Sequence, residues 1–151
     1  MKKEPKFSVI FLLGEVYMVD DVVLNKVAII ERCIRRIQEE YQGNLLNLEN
    51  YTKQDSIILN IQRSCEASID LAMHLVATKG LGIPQSSREA FDLLQQAGIV
   101  EVNLAQKLKA MVGFRNIAVH NYQTVNLSIV QGIIEKNLAD LLTFGQLVLS
   151  K

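Results

Sequence analysis

The sequence predicts an all-α protein, an antiparallel bundle of four to five helices. Three observations carry that expectation. Apolar residues recur three or four apart along most of the chain, the spacing of one helix face. Only two prolines interrupt 151 residues, and aliphatic side chains dominate a composition that is 49% hydrophobic. No segment alternates apolar and polar residues over a length that would mark a sheet.

The first helix is expected from Asp20 to about Tyr41, with Val23, Val27, Ile30, Ile34 and Ile37 on its apolar face. Glu31, Arg32, Arg35, Glu39 and Glu40 occupy the opposite side, and Gly43-Asn44 ends it. Residues 44–51 read as a polar loop. Thr52 and Asp55 then form an acidic version of a capping box. A second helix follows to about Lys79, burying Ile58, Ile61, Cys65, Ile69, Ala72, Met73 and Val76, until Gly80 to Pro84 breaks it. Ser86-Ser87-Arg88-Glu89 is a full capping box for a short third helix ending at Gly98. A fourth runs from about Val102 into the Arg115 region, and Asn126 can cap a fifth through Leu142.

Length and charge bound the function classes. A chain this long can bury a core as one domain without disulfide or metal staples. Lys plus Arg equals Asp plus Glu at 16 each, so the formal net charge is zero. That weighs against a broad basic face coating nucleic acid, while leaving room for a local basic site. Cys33 and Cys65 are isolated within helical apolar patterns and read as buried thiols of a reducing cytoplasm. No Cys/His cluster has metal-ligand spacing, so no metal or other cofactor is expected. Lys2, Lys3 and Lys6 before the apolar run Phe7 to Leu13 resemble a secretory signal superficially. Glu4 and Glu15 bracket the run, no small-residue cleavage site follows, and it is too short to span a bilayer. Residues 1–17 are therefore an extension, a short strand or helix packed on the body formed by residues 18–151. Met18 stands just before the regular pattern and is a candidate initiator.

Two histidines invite chemistry. His74 follows Asp70 by four on the same helix face, a spacing at which a carboxylate can orient an imidazole. The bland reading, a half-buried helix pair, is favoured there, with Asp70 and Glu66 kept as acids able to face an interhelical site. His120 has richer company in Arg115-Asn116-Ile117-Ala118-Val119-His120-Asn121-Tyr122. Arg115 offers a permanently charged fork suited to phosphate, His120 a group that exchanges protons near neutral pH, and Tyr122 a phenolic hydroxyl. Five residues of helix turn through about 500°, so Arg115 and His120 would point about 140° apart on one straight helix. A site there needs either a helix that unwinds near Val119 to Tyr122, for which Asn121 is suited, or a second subunit. The alternative is a polar helix terminus with His120 satisfied by the last carbonyls. On chemistry alone the two readings weigh equally.

The octapeptide is similar to the Arg–four residues–His–x–Tyr motif of HEPN-domain proteins, in particular the HepT branch of toxin–antitoxin systems. The resemblance extends to Ile29-Ile30-Glu31-Arg32-Cys33, to Leu59-Asn60-Ile61-Gln62-Arg63 with Glu66, Asp70 and His74, to Gly80 through Phe91, and to Met111-Val112-Gly113-Phe114. It covers nearly everything from about Asp21 onward, whereas residues 1–17 depart from the usual family start. The resemblance implies a HEPN-like homodimer in which two motifs share a cleft. It implies the toxin of a type VII toxin–antitoxin system, an endoribonuclease that works without metal. Arg115 and His120 would be catalytic, with Asn116, Asn121 and Asp70 supporting them. The implied partner, besides RNA, is an MntA-like nucleotidyltransferase antitoxin that transfers AMP to the motif tyrosine, here Tyr122. No membrane association is implied. A non-catalytic subunit binding nucleotide or nucleotidyltransferase is the competing expectation, and a purely structural helical dimer is a weaker one.

Overall fold

Helix-forming periodicity decides most of the chain. The computed structural model describes residues 6–150, including every side chain there except those of Leu12, Tyr17, Met18 and Val19. Lys2 and Lys3 of the signal-like cluster lie outside the described residues.

The bundle consists of α1 (Asp21–Tyr41), α2 (Tyr51–Thr78), α3 (Ser87–Gln96), α4 (Val102–His120) and a C-terminal rod. That rod comprises α5 (Leu127–Gly132), a π turn (Ile133–Asn137) and α6 (Leu138–Leu149), all in right-handed helical geometry. Five helical rods therefore match the expected architecture. The starts are fixed by side-chain caps. Asp20 accepts from the Val22 amide, Ser86 from the Glu89 amide at 3.1 Å, and Asn126 from the Ser128 amide at 2.8 Å. Each satisfies an amide that the first helical turn leaves without a partner.

Neighbouring rods run antiparallel. Val27 meets Gly145 while Tyr41 Oη donates to Glu135 Oε1 at 2.9 Å, so α1 and the C-terminal rod pass in opposite directions. Ile30, Ile37, Ile57, Leu71, Leu141 and Phe144 are fully buried between the rods, and Phe91 meets Phe144 edge-on at 5.6 Å between centroids. Burying an aliphatic side chain of this size contributes roughly 1.5–3 kcal/mol, which is how helices of modest propensity are held. No helix among the described residues is long and apolar enough to cross a membrane.

The N-terminal extension, expected as a short strand or helix, takes the strand form. β1 (Phe7–Leu12) pairs antiparallel with β2 (Glu15–Asp20), Phe7 opposite Asp20 and Leu12 opposite Glu15. The division at residues 17 and 18 thus falls inside a strand. The alternation was hidden because both faces of β1 carry apolar groups. Phe7, Val9 and Phe11 are exposed, whereas Ser8 and Ile10 are half-buried. The turn also lacks the usual Asn-Gly. Leu13 and Gly14 both take positive φ, 52° and 78°, as a two-residue type I′ hairpin requires.

Three smaller expectations are corrected. The cap of α2 is Asn50, whose side chain accepts from the Lys53 amide at 3.0 Å, rather than Thr52. The loop before it contains a 3-10 turn, Leu45–Leu48, that buries Leu48. Asp70 and His74 do not pair. His74 Nε2 lies 2.8 Å from Asp20 Oδ2, and Asp70 accepts from Lys26 Nζ at 2.9 Å. Asp20 wins the imidazole because its carboxylate is much the less exposed, 17% against 56%, and so less screened by water. His74 thereby ties the hairpin end and the start of α1 to the last turns of α2.

Candidate functional site

The motif occupies the end of α4, where the helix stops one residue after a regular turn. His120 is the last helical residue, Asn121 has φ −150° and ψ 58°, and Tyr122–Thr124 form a 3-10 turn. The Asn121 amide still donates to Ile117 O at 2.8 Å, and its carbonyl accepts from Thr124 Oγ1 at 2.9 Å. The backbone is thus satisfied while the chain changes direction. Unwinding begins at Asn121, too late to bring His120 round to Arg115. Helical geometry leaves those two side chains about 140° apart within one chain.

Their surroundings differ accordingly. Arg115 is half-buried and donates through Nη1 to Asn116 Oδ1 at 2.9 Å. Its Nε is buried with no hydrogen-bond partner among the described residues. The guanidinium lies near Cys65 of α2, whose thiol is pushed up to about 12 by burial, an effect the positive charge of Arg115 opposes and the Glu66 carboxylate adds to. His120 is exposed, and no described residue hydrogen-bonds its ring. The last carbonyls of α4 do not hold it.

Tyr122 swings onto α2. Its hydroxyl donates a short hydrogen bond to Asp55 Oδ1 across 67 positions of sequence. Burial, then the hydrogen bond and negative charge of Asp55, push the phenol up to about 12. Asp55 is the one site residue that the sequence reading assigned elsewhere, to a helix cap. Asn50 takes that role and leaves the Asp55 carboxylate available. With Arg115 near Cys65 and Tyr122 on Asp55, α4 and α2 run antiparallel. Both ends of the motif therefore rest on one helix.

A pH dependence follows from the raised phenol. Tyr122 is protonated when folded, and its contribution to stability is whole below about pH 10, where a free phenol also stays neutral. It fades as pH rises from there through the folded value of about 12. Asp55→Asn removes the negative charge, so Tyr122 is expected to ionise at lower pH. The difference between wild-type and variant phenolate absorbance titrations measures this. Coincident curves would show that Asp55 does not hold the hydroxyl.

The other expected residues scatter. Asn116 joins Arg115, and Asn121 is exposed at the helix end. Asp70 is spent on Lys26, one turn beyond Glu66 along α2, and bonds to no motif residue. Among the described residues no group of three or more His, Cys, Asp or Glu side chains is placed to hold a metal ion.

Comparison with known proteins bears on what this geometry serves. Residues 30–148 match the family described as ribonuclease HepT-like. The chain belongs to that family. A HepT-like relative, the mRNA nuclease HepT of Shewanella oneidensis, is 50% identical over 121 residues, spanning 80% of this chain and 91% of the relative. The fold is shared as well. A solved structure of the tri-AMPylated Shewanella oneidensis HEPN toxin in complex with an MNT antitoxin superposes with a TM-score of 0.83 at 46% identity. It covers 88% of this chain and all of that one. A toxin–antitoxin structure with AMP-PNP gives a TM-score of 0.82 at 46% identity, over 87% of this HepT-like chain and 99% of the other.

Proposed function

We propose that this protein is the toxin of a type VII toxin–antitoxin system, an endoribonuclease that cleaves RNA without a metal ion and acts as a homodimer. The observation that carries the reading is the Arg115–Tyr122 motif at the end of α4 in a chain of the HepT-like family. The RNA 2′-hydroxyl attacks the adjacent phosphorus, and the bond to the 5′-oxygen breaks. The products are a cyclic phosphate and a free 5′-hydroxyl. One His120 imidazole takes the attacking proton, and a second gives a proton to the leaving oxygen. Arg115 neutralises charge that develops on the phosphoryl oxygens. The angular separation of Arg115 and His120 supports a dimer, since a partner's motif can supply the group that one helix cannot turn inward. Asn116 steadies the guanidinium, and Asn121 sets the turn that releases Tyr122 from the helix. Asp70 is given no contact with reacting atoms.

Inhibition falls to Tyr122. An MntA-like nucleotidyltransferase antitoxin transfers AMP from ATP to its hydroxyl, with pyrophosphate leaving and the phenolic proton passing to Asp55. Phosphates attached there put negative charge and bulk into a cleft meant for RNA phosphates. The nuclease reading is tested by incubating the unmodified protein with RNA in excess chelator. Fragments ending in cyclic phosphate and 5′-hydroxyl are expected, and intact RNA would sink the reading.

A further inference from the structure

A groove of about 580 Å3 lies between α1 and α2, outside the motif. Lys26, Arg32, Arg36 and Arg63 line it, against two acids, Glu66 and Asp70. Lys26 is neutralised by Asp70 at 2.9 Å, and Glu66 accepts from Gln62 Nε2 at 3.1 Å. Arg32, Arg36 and Arg63 have no ion pair or hydrogen bond among the described residues, and all three are exposed. In a chain of zero net charge, three unmatched guanidinium groups around one groove form a local concentration of positive potential.

The three converge for a structural reason. Arg32 and Arg36 are one helical turn apart on α1, about 6 Å along its axis. Arg63 faces them from α2. The buried Cys33 thiol lies between: burial pushes it up, while Arg32 and Arg63 both act to bring it down, so both charges bear on the groove floor. Ile29 and Leu59 add apolar surface, and Ser56 and Asn60 add polar groups. The acids cluster toward the Lys26 end, which would repel phosphate and confines an anionic strand to the arginine end.

The groove also adjoins the motif. Asp55, Leu59, Gln62, Glu66 and Asp70 recur three or four apart and form one stripe along α2. The Tyr122 hydroxyl rests on Asp55 of that stripe, and the arginine groove opens along its other flank.

We propose that the α1–α2 groove holds the phosphodiester backbone of the single-stranded RNA that reaches the motif, with Arg32, Arg36 and Arg63 as its phosphate ligands. The inference rests on the ribonuclease reading and adds a substrate-binding site to it. Guanidinium forks suit phosphate oxygens geometrically, and a spacing of one helical turn suits successive phosphates of an extended strand. The apolar floor lies where sugars or bases would contact it.

The test is fluorescence anisotropy with a single-stranded RNA carrying 2′-O-methyl groups, which binds but cannot be cleaved by 2′-hydroxyl attack. The full-length protein is compared with Arg32→Gln, Arg36→Gln, Arg63→Gln, their triple combination, and Arg35→Gln, which neutralises an α1 charge outside the groove. The triple variant is expected to bind at least about tenfold more weakly at low salt. Its log–log salt slope should be shallower by about 2, roughly 0.7 per lost phosphate contact. Each single variant should show about a third of that change, roughly 0.7, so the result stands even if the triple variant folds poorly. Arg35→Gln should leave the slope near wild type. Unchanged slopes in the groove variants, or an equal loss in Arg35→Gln, would overturn the proposal. So would groove variants that keep RNA affinity but lose dimerisation by light scattering, or lose capture of the nucleotidyltransferase, because the groove would then serve a protein partner. Wild-type protein that neither binds nor cleaves RNA refutes the ribonuclease reading itself; cleavage with unchanged groove variants refutes only the groove.

Discussion

His120→Ala is expected to reduce RNA cleavage by about 100- to 10,000-fold, the usual contribution of a positioned proton-transfer group. Arg115→Ala is expected to cost about 100- to 1,000-fold, as for the loss of one donor aimed at developing oxyanion charge. The two losses have different origins. The His120 ring is exposed and unbonded, so its removal leaves the bundle intact and unfolding curves should match wild type. Arg115 is half-buried beside α2, and its truncation also removes packing of its aliphatic stem. Single-turnover cleavage of a labelled RNA, with thermal unfolding beside it, separates chemistry from stability. Mixed dimers carrying His120 in only one chain test the two-imidazole scheme. They should lose nearly as much activity as the full His120→Ala dimer, whereas half the wild-type rate would mean that one imidazole per site suffices.

Tyr122→Phe is expected to abolish AMP incorporation completely, because the ring remains but the attacking oxygen is gone. Intact mass is the readout after incubation with ATP and a cognate minimal nucleotidyltransferase. Wild-type protein should gain AMP-sized increments and lose nuclease activity in step. The Phe variant should gain none and stay active in the antitoxin's presence. An increment that survives the substitution would remove Tyr122 as the acceptor. Asp55→Asn discriminates further. If Asp55 receives the phenolic proton, modification slows in the variant even though its Tyr122 phenol ionises more readily than in the wild type.

The helices were legible because their information is local. The stripe Val23, Val27, Ile30, Ile34, Ile37 in α1 and the Ser86–Glu89 cap of α3 each lie within a few turns of chain, and the structure keeps both. The hairpin was legible only as a choice between strand and helix, since a continuous apolar run conceals which side each residue faces and Leu13 replaces the residue that normally announces the turn. Pairings between distant residues were harder still. Asp20 with His74 spans 54 positions and Tyr122 with Asp55 spans 67, and in each case a nearer candidate existed in the sequence. Asp70 lay one helical turn from His74, and Thr52 stood ready to claim Asp55 for a cap. Which side chains meet across helices, and that Asn50 rather than Thr52 caps α2, decided the outcome, and periodicity along one helix fixes neither. The motif itself was visible as residue types at a spacing, yet its division between a half-buried Arg115 and an outward His120 follows from where α4 ends.

The seating of the motif on α2 has a consequence for how this protein fails. That helix alone carries Asp55 under the phenol, Cys65 beside the guanidinium, and one wall of the arginine groove, while its interior residues Ile57, Ile61 and Leu71 are among the most deeply buried in the bundle. Function and the most protected part of the fold therefore belong to the same cooperative unit. Fraying of the N-terminal hairpin leaves the chemistry in place. Loosening α2 would release Asp55 from the phenol, Cys65 from beside the guanidinium and one wall of the groove together, so on the proposed reading cleavage and modification would be lost in step.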